Sequence, residues 1–116
     1  MSAPAPVTWF EISGADYAGL RSFYAELFGW TPQPVEGMEY ALVDAAEGGV
    51  GGGIAGAGEG PGQAIFYIQV ADPQAVLDQI EKRGGKTVVP VTVVPDMVTF
   101  AQFADPSGNV VGLVQG

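Results

Sequence analysis

The chain is written twice. Phe10-Glu11-Ile12 precedes Asp16 and an apolar run that ends at Gly29, and Phe66-Tyr67-Ile68 precedes Asp72 and a run that ends at Gly84-Gly85. The offset is about 56 residues, a period that marks a repeated structural unit. The later parts echo each other as well. Tyr40-Ala41-Leu42-Val43 leads to Gly48-Gly49-Val50, as Phe100-Ala101-Gln102-Phe103 leads to Gly108-Asn109-Val110-Val111. Each copy must therefore solve the same folding problem, and the fold reduces to one strand-helix-strands unit used two times.

Local patterns supply the elements. Val7 to Ser13 alternates as a strand, with Phe10 and Ile12 on one face and Trp9 and Glu11 on the other. Asp16 suits a helix N-cap, Tyr17, Leu20, Tyr24, Leu27 and Phe28 recur at helical spacing, and Gly29 suits a C-cap. Pro32 and Pro34 limit Trp30 to Val35 to an edge strand, and Met38 to Asp44 reads as a strand. Gly49 to Gly56 in isolation reads as a loop, but its place in the repeat predicts a strand with close backbone approach. Gly58 to Gly62 joins the copies. Ala64 to Ala71 opens the second one, with Phe66, Ile68 and Val70 on one face and Ile65, Tyr67 and Gln69 on the other. Asp72-Pro73 starts a helix whose stripe is Val76, Leu77 and Ile80, and Lys82 and Arg83 complement its C-terminus. Lys86 to Val94, Met97 to Phe103 and Asn109 to Val114 are strands, the last two joined by the turn sequence Asp105-Pro106-Ser107-Gly108.

This order predicts an α+β fold of two βαβββ modules, forming a curved mixed sheet with a cleft and helices on the outer face. The expected organisation is one domain over 1–116, with modules at 6–57 and 63–115. The helices need Phe10, Ile12, Phe66, Ile68 and Val70, so the opposite face of each sheet is left for a ligand.

Charge and composition narrow the partners. The chain has 13 acidic and 4 basic residues, for a net charge of −9. Such a surface repels phosphate backbones, so no nucleic-acid partner is expected; it favours a cationic ligand or serves solubility. No apolar run approaches the roughly 20 residues that span a bilayer, so no membrane partner is expected. Met1 to Pro6 shows no basic and apolar leader pattern. The chain has no Cys and no His, which removes disulfides and the Ser-His-Asp and Cys-His nucleophile arrangements. A cytoplasmic location is the expectation.

Two stretches carry a resemblance. Phe23-Tyr24-Ala25-Glu26-Leu27-Phe28-Gly29-Trp30 after the first strand, and Phe103-Ala104-Asp105-Pro106-Ser107-Gly108-Asn109 near the end, resemble the vicinal oxygen chelate superfamily. That group includes glyoxalase I, bleomycin-resistance proteins and extradiol dioxygenases. The resemblance runs from Val7 to Val114. It implies paired βαβββ modules, each curling into half of a barrel-like cleft, and a homodimer. It also implies a metal held by His and Glu from four strands. Carried over by position, those ligands fall at Trp9, near Gly52, near Ile65 and at Gly112. None of the four offers a metal donor. Glu11 is the only carboxylate placed on the open face, too few for a hard cation. The expectation is no metal and no cofactor.

The candidate ligand-binding residues are Trp9, Glu11, Tyr40, Tyr67, Gln69, Phe100 and Gln102. Trp9 beside Glu11 offers an aromatic wall next to an anion; Tyr67 and Gln69 take the matching places in the second copy. Tyr40, Phe100 and Gln102 lie on strands that should line the same cleft. Glu11 is also the candidate acid or base, since burial beside Trp9 would raise its pKa. Gly51-Gly52-Gly53 lacks the Lys-Ser/Thr and the following helix of a phosphate loop. Glu47, Glu59, Asp78 and Asp96 show no partner in the sequence. Three functions compete: a metal-independent protein binding an aromatic or cationic small molecule, a lyase, isomerase or epimerase using Glu11 or a Tyr, and a structural or partner-binding module.

Overall fold

The structure is a computed structural model that describes residues 4–116. Of the N-terminal stretch Met1 to Pro6, Met1 to Ala3 lie outside the described residues. Ten elements follow in chain order: β1 (Val7–Gly14), α1 (Tyr17–Phe28), β2 (Gln33–Pro34), β3 (Tyr40–Val43), β4 (Gly51–Gly56), β5 (Ala64–Val70), α2 (Pro73–Lys82), β6 (Lys86–Val94), β7 (Val98–Ala104) and β8 (Val110–Gln115). The α+β class and the repeated βαβββ order are both present. Two compact units divide the chain. One is Trp9–Ile65; the other is Phe66–Gly116 with the N-terminal segment that ends at Thr8.

In the first unit the strands lie in the order β2-β3-β4-β1. The glycine-rich β4 is a strand, as the repeat requires. It runs parallel to β1, with Trp9 opposite Gly51, Phe10 opposite Gly52 and Glu11 opposite Gly53. On its other edge β3 is antiparallel, placing Tyr40 opposite Ala55 and Leu42 opposite Gly53. The pleat then sorts the side chains. Phe10, Ile12, Ala41, Val43 and Ile54 share the helix side, where Ala41, Val43 and Ile54 are buried. Trp9, Glu11, Tyr40 and Leu42 share the open side.

The second unit repeats the plan as β5-β8-β7-β6. β5 is parallel to β8, with Tyr67 opposite Gly112. β7 is antiparallel to β8, with Ala101 opposite Leu113 and Gln102 opposite Gly112. The register of β6 on β7 shifts on either side of Val89, next to Pro90, as a residue lacking an N–H demands. The core is Leu77, Ala101 and Leu113, with Ile68, Val70, Val76, Ile80, Val91 and Phe103 packed around it.

Caps fix both helices. Asp16 accepts from the Gly19 N–H at 3.0 Å and Asp72 from the Ala75 N–H at 3.1 Å, satisfying donors that a helix start leaves orphaned. Gly29 ends α1 at φ 71°, its N–H donating to the Ala25 carbonyl, a conformation that glycine adopts without strain. The Asp105 turn is tied by its own carboxylate, which accepts from the Ser107 and Asn109 N–H groups, each at 2.9 Å. These bonds, led by those from Asn109, hold the Asp105 pKa below its ordinary value.

Three expectations need correction. The apolar stripe of α1 is not a buried stripe: the helix buries no residue fully, and Phe23 is 53%, Leu27 62% and Phe28 62% exposed. On the helix side β4 presents only Ile54, between the bare positions Gly52 and Gly56. Instead Leu20 lies over Gly14, and Tyr24 stacks on Trp30 with centroids 5.2 Å apart. Phe66 is likewise 45% exposed rather than packed under α2, since Ile68 and Val70 already meet Leu77. Asp78 has a partner, the Gln74 amide one helical turn earlier, which donates to it at 3.1 Å.

Candidate functional site

The open side of the first unit gathers three of the expected residues. The Trp9 indole N–H donates to the Tyr40 hydroxyl at 3.1 Å. The Tyr40 hydroxyl in turn bonds the Glu11 carboxyl. Trp9 and Glu11 come two apart on β1, so they share a face; Tyr40 reaches them across β4. That reach depends on glycine. A Cβ on Gly53 would fall inside the Tyr40 phenol, and one on Gly51 would come within 3.4 Å of the Trp9 ring. Bare backbone at Gly53 leaves the room that the Tyr40 phenol occupies.

Glu11 is half-buried, and burial pushes its carboxyl pKa above the ordinary 4.5, partly opposed by the Tyr40 hydrogen bond. A raised folded pKa means the protonated form is favoured in the folded protein. Its stabilising contribution is complete below the ordinary value and is lost as pH rises through the folded pKa. Glu11→Gln should therefore raise the melting temperature at neutral pH, and the gain should vanish below about pH 4.5. Melting curves of both proteins across this range check it; a gain independent of pH would show that charge is not the cause.

The open side of the second unit holds the counterpart set. The Gln102 amide donates to the Tyr67 hydroxyl at 2.9 Å, and the Tyr67 ring meets the edge of Phe100 with centroids 6.4 Å apart. Tyr67 is 4% exposed; its ring occupies the space that a Cβ on Gly112 would need. Gln69 stands apart from this pair, beside the chain end at Gly116. The repeat thus places an aromatic ring over glycine in both units, Tyr40 over Gly53 and Tyr67 over Gly112.

The metal centre that the resemblance implies does not fit these residues. Among the described residues no three His, Cys, Asp or Glu side chains are grouped to hold an ion. Gly52 corrects its expected place: it lies on the helix side, where a Cβ would strike the Phe10 ring. The open-face positions of β4 are Gly51 and Gly53. At Gly53 and Gly112 a longer side chain would have to displace a phenol.

One feature of the helix side went unrecognised in the sequence. Phe10, Trp30, Val43, Asp44, Ala46, Gly49 and Val50 line an open, mainly apolar hollow of about 310 Å³. The only hint was Trp30, an aromatic placed just after the Gly29 cap.

Comparison with known proteins agrees with this architecture. CFP32 of Mycobacterium tuberculosis, a protein provisionally named a glyoxylase, is 33% identical over 116 residues, covering 92% of this chain and 44% of that protein. The anthracycline biosynthesis protein DnrV of Streptomyces peucetius is 28% identical over 124 residues, covering 91% and 45%. The chain thus spans under half the length of the curated relatives it matches. Among solved structures, methylmalonyl-CoA epimerase from Mycobacterium tuberculosis superposes with a TM-score of 0.68 at 16% identity, over 99% of this chain and 92% of that one; at that identity the likeness shows the fold. No helix among the described residues is long and apolar enough to cross a membrane. The Glyoxalase/Bleomycin resistance protein/Dioxygenase superfamily model matches residues 7–113, which takes in both units with their shared ring-over-glycine arrangement, and the chain belongs to that superfamily.

Proposed function

We propose that the open face of the first module, residues 6–57, binds a small organic molecule without a protein-held metal. The observation that supports this reading is the hydrogen-bonded set Trp9, Tyr40 and Glu11 on one side of a glycine-rich strand. Trp9 offers an aromatic face and Glu11 an acceptor that carries negative charge once ionised. An aromatic ligand with a cationic or donor group suits both. The net charge of −9 draws such a ligand towards the protein. Tyr67, Gln69, Phe100 and Gln102 are the second module's ligand-facing residues in the same reading.

A thermal-shift screen of aromatic cations tests it. A ligand present at about 100 times its Kd stabilises by about 2.7 kcal/mol. Trp9→Ala should abolish that shift. A screen in which no compound moves the melting temperature would sink the proposal.

Glu11 favours a second reading, acid-base catalysis of a lyase, isomerase or epimerase type. A half-buried carboxyl whose pKa is raised by burial, bonded to a phenol, is suited to proton transfer. The relatives in anthracycline biosynthesis and the epimerase of like fold lend it support. Under this reading Glu11→Gln removes turnover and spares affinity; equal loss of both leaves binding alone.

A further inference from the structure

The second unit ends in an open edge. β6 is the outermost strand of the order β5-β8-β7-β6, and among the described residues no strand lies beyond it. It contains Thr87-Val88-Val89-Pro90-Val91-Thr92-Val93-Val94, a run without a single charge. Val88 is 48% and Val93 65% exposed. Apart from its proline, this run has the composition that stacks into intermolecular β-structure: strand-forming, apolar and uncharged over about six or seven residues. A long exposed edge of this kind is a template on which another chain can pair.

Side chains disarm that edge at successive points. The Glu81 carboxylate, in the last turn of α2, accepts from the Thr87 N–H at 2.8 Å, so this backbone donor is already taken. That bond, with Lys86 nearby, holds the Glu81 pKa below its ordinary value. Pro90 has no N–H to offer, and its carbonyl accepts from the Thr92 hydroxyl at 2.8 Å. The register of β6 on β7 also shifts on either side of Val89, and such bulges turn an edge away from straight pairing. The unbroken runs that remain, 87–89 and 91–94, are both too short to stack by themselves. Val91 still packs against the Leu77 cluster, so the strand keeps its hold on the core while its edge is spoiled.

We infer that Pro90, with Thr92 and Glu81, is a built-in guard that keeps the β6 edge of one folded chain from pairing with the β6 edge of another. The net charge of −9 holds whole molecules apart, but salt screens that repulsion beyond about 8 Å. At contact, the uncharged run has only the guard to prevent strand addition.

Pro90→Val in the full chain tests it. The variant should stay folded by circular dichroism yet assemble well below its melting temperature. Sedimentable, thioflavin-positive material should rise at least about 10-fold over wild type. Adding Val93→Lys to the same chain puts a charge on an exposed position of the edge and should return assembly to the wild-type level. Aggregation driven by unfolding would not respond in that way. If Pro90→Val fails to fold, the paired surface changes Glu81→Ala and Thr92→Val serve, with the same readings. A folded variant as soluble as wild type overturns the inference, as does assembly that Val93→Lys leaves unchanged.

Discussion

Gly112→Glu is expected to disrupt the second unit rather than create a metal ligand. Gly112 is the position where the superfamily resemblance places a ligating carboxylate, which makes the substitution look like a restoration. The Tyr67 ring already occupies that space, itself 4% exposed and held by Gln102 and Phe100. A glutamate must push the ring off its packing and bury a carboxylate without a partner. Overpacking alone costs about 1–3 kcal/mol, and an unpaired buried acid adds to it. A total of about 3 kcal/mol or more should lower the melting temperature by about 12 °C or more. Gln115→Glu, on the exposed end of the same strand, should leave it nearly unchanged. Zinc added to the Gly112→Glu protein should not recover the loss. A variant as stable as wild type that gains stability with zinc would mean Tyr67 yields the position, and the reading of a filled site would fall.

The second large effect separates the two helices. Leu77→Ala in α2 should cost about 2–5 kcal/mol, the range for truncating a buried leucine, because Leu77 is 2% exposed and sits at the centre of its cluster. Leu27→Ala in α1 should cost less than about 0.5 kcal/mol in dilute solution, because Leu27 is 62% exposed. Denaturant titration of both variants measures the contrast. Equal costs in dilute solution would contradict the packing described for α1. A Leu27→Ala cost that grows with protein concentration would instead report burial by a second copy.

The contrast also shows how far the sequence could be read. Both helices have capping residues and apolar residues at helical spacing, so both were legible as helices. Periodicity identifies which residues are apolar; it does not say what covers them. The covering strand under α1 is β4, and its glycines are silent in a pattern of hydrophobicity. The repeat alone revealed β4 as a strand; it put Tyr40, Phe100 and Gln102 on strands expected to line the cleft and left their facing open. It could not set the parity of Gly51-Gly52-Gly53, which depends on a parallel register with β1 that brings Phe10 opposite Gly52. For the same reason the bond from Trp9 to Tyr40, 31 residues away in the chain, was beyond reach: strand order decides it. The Gln74–Asp78 pair was within reach, since residues four apart on a helix are neighbours.

The chain's two tryptophans lie on opposite sides of one four-stranded sheet, Trp9 bonded to Tyr40 on the open side and Trp30 stacked on Tyr24 on the helix side. Nature has thereby placed one fluorophore at each surface. With Trp30→Phe, emission reports the surroundings of Glu11; with Trp9→Phe, it reports the aromatic face of α1. A change at the Glu11 face and a change at the α1 face, which one melting curve would merge, then become two separate optical signals from the same small protein.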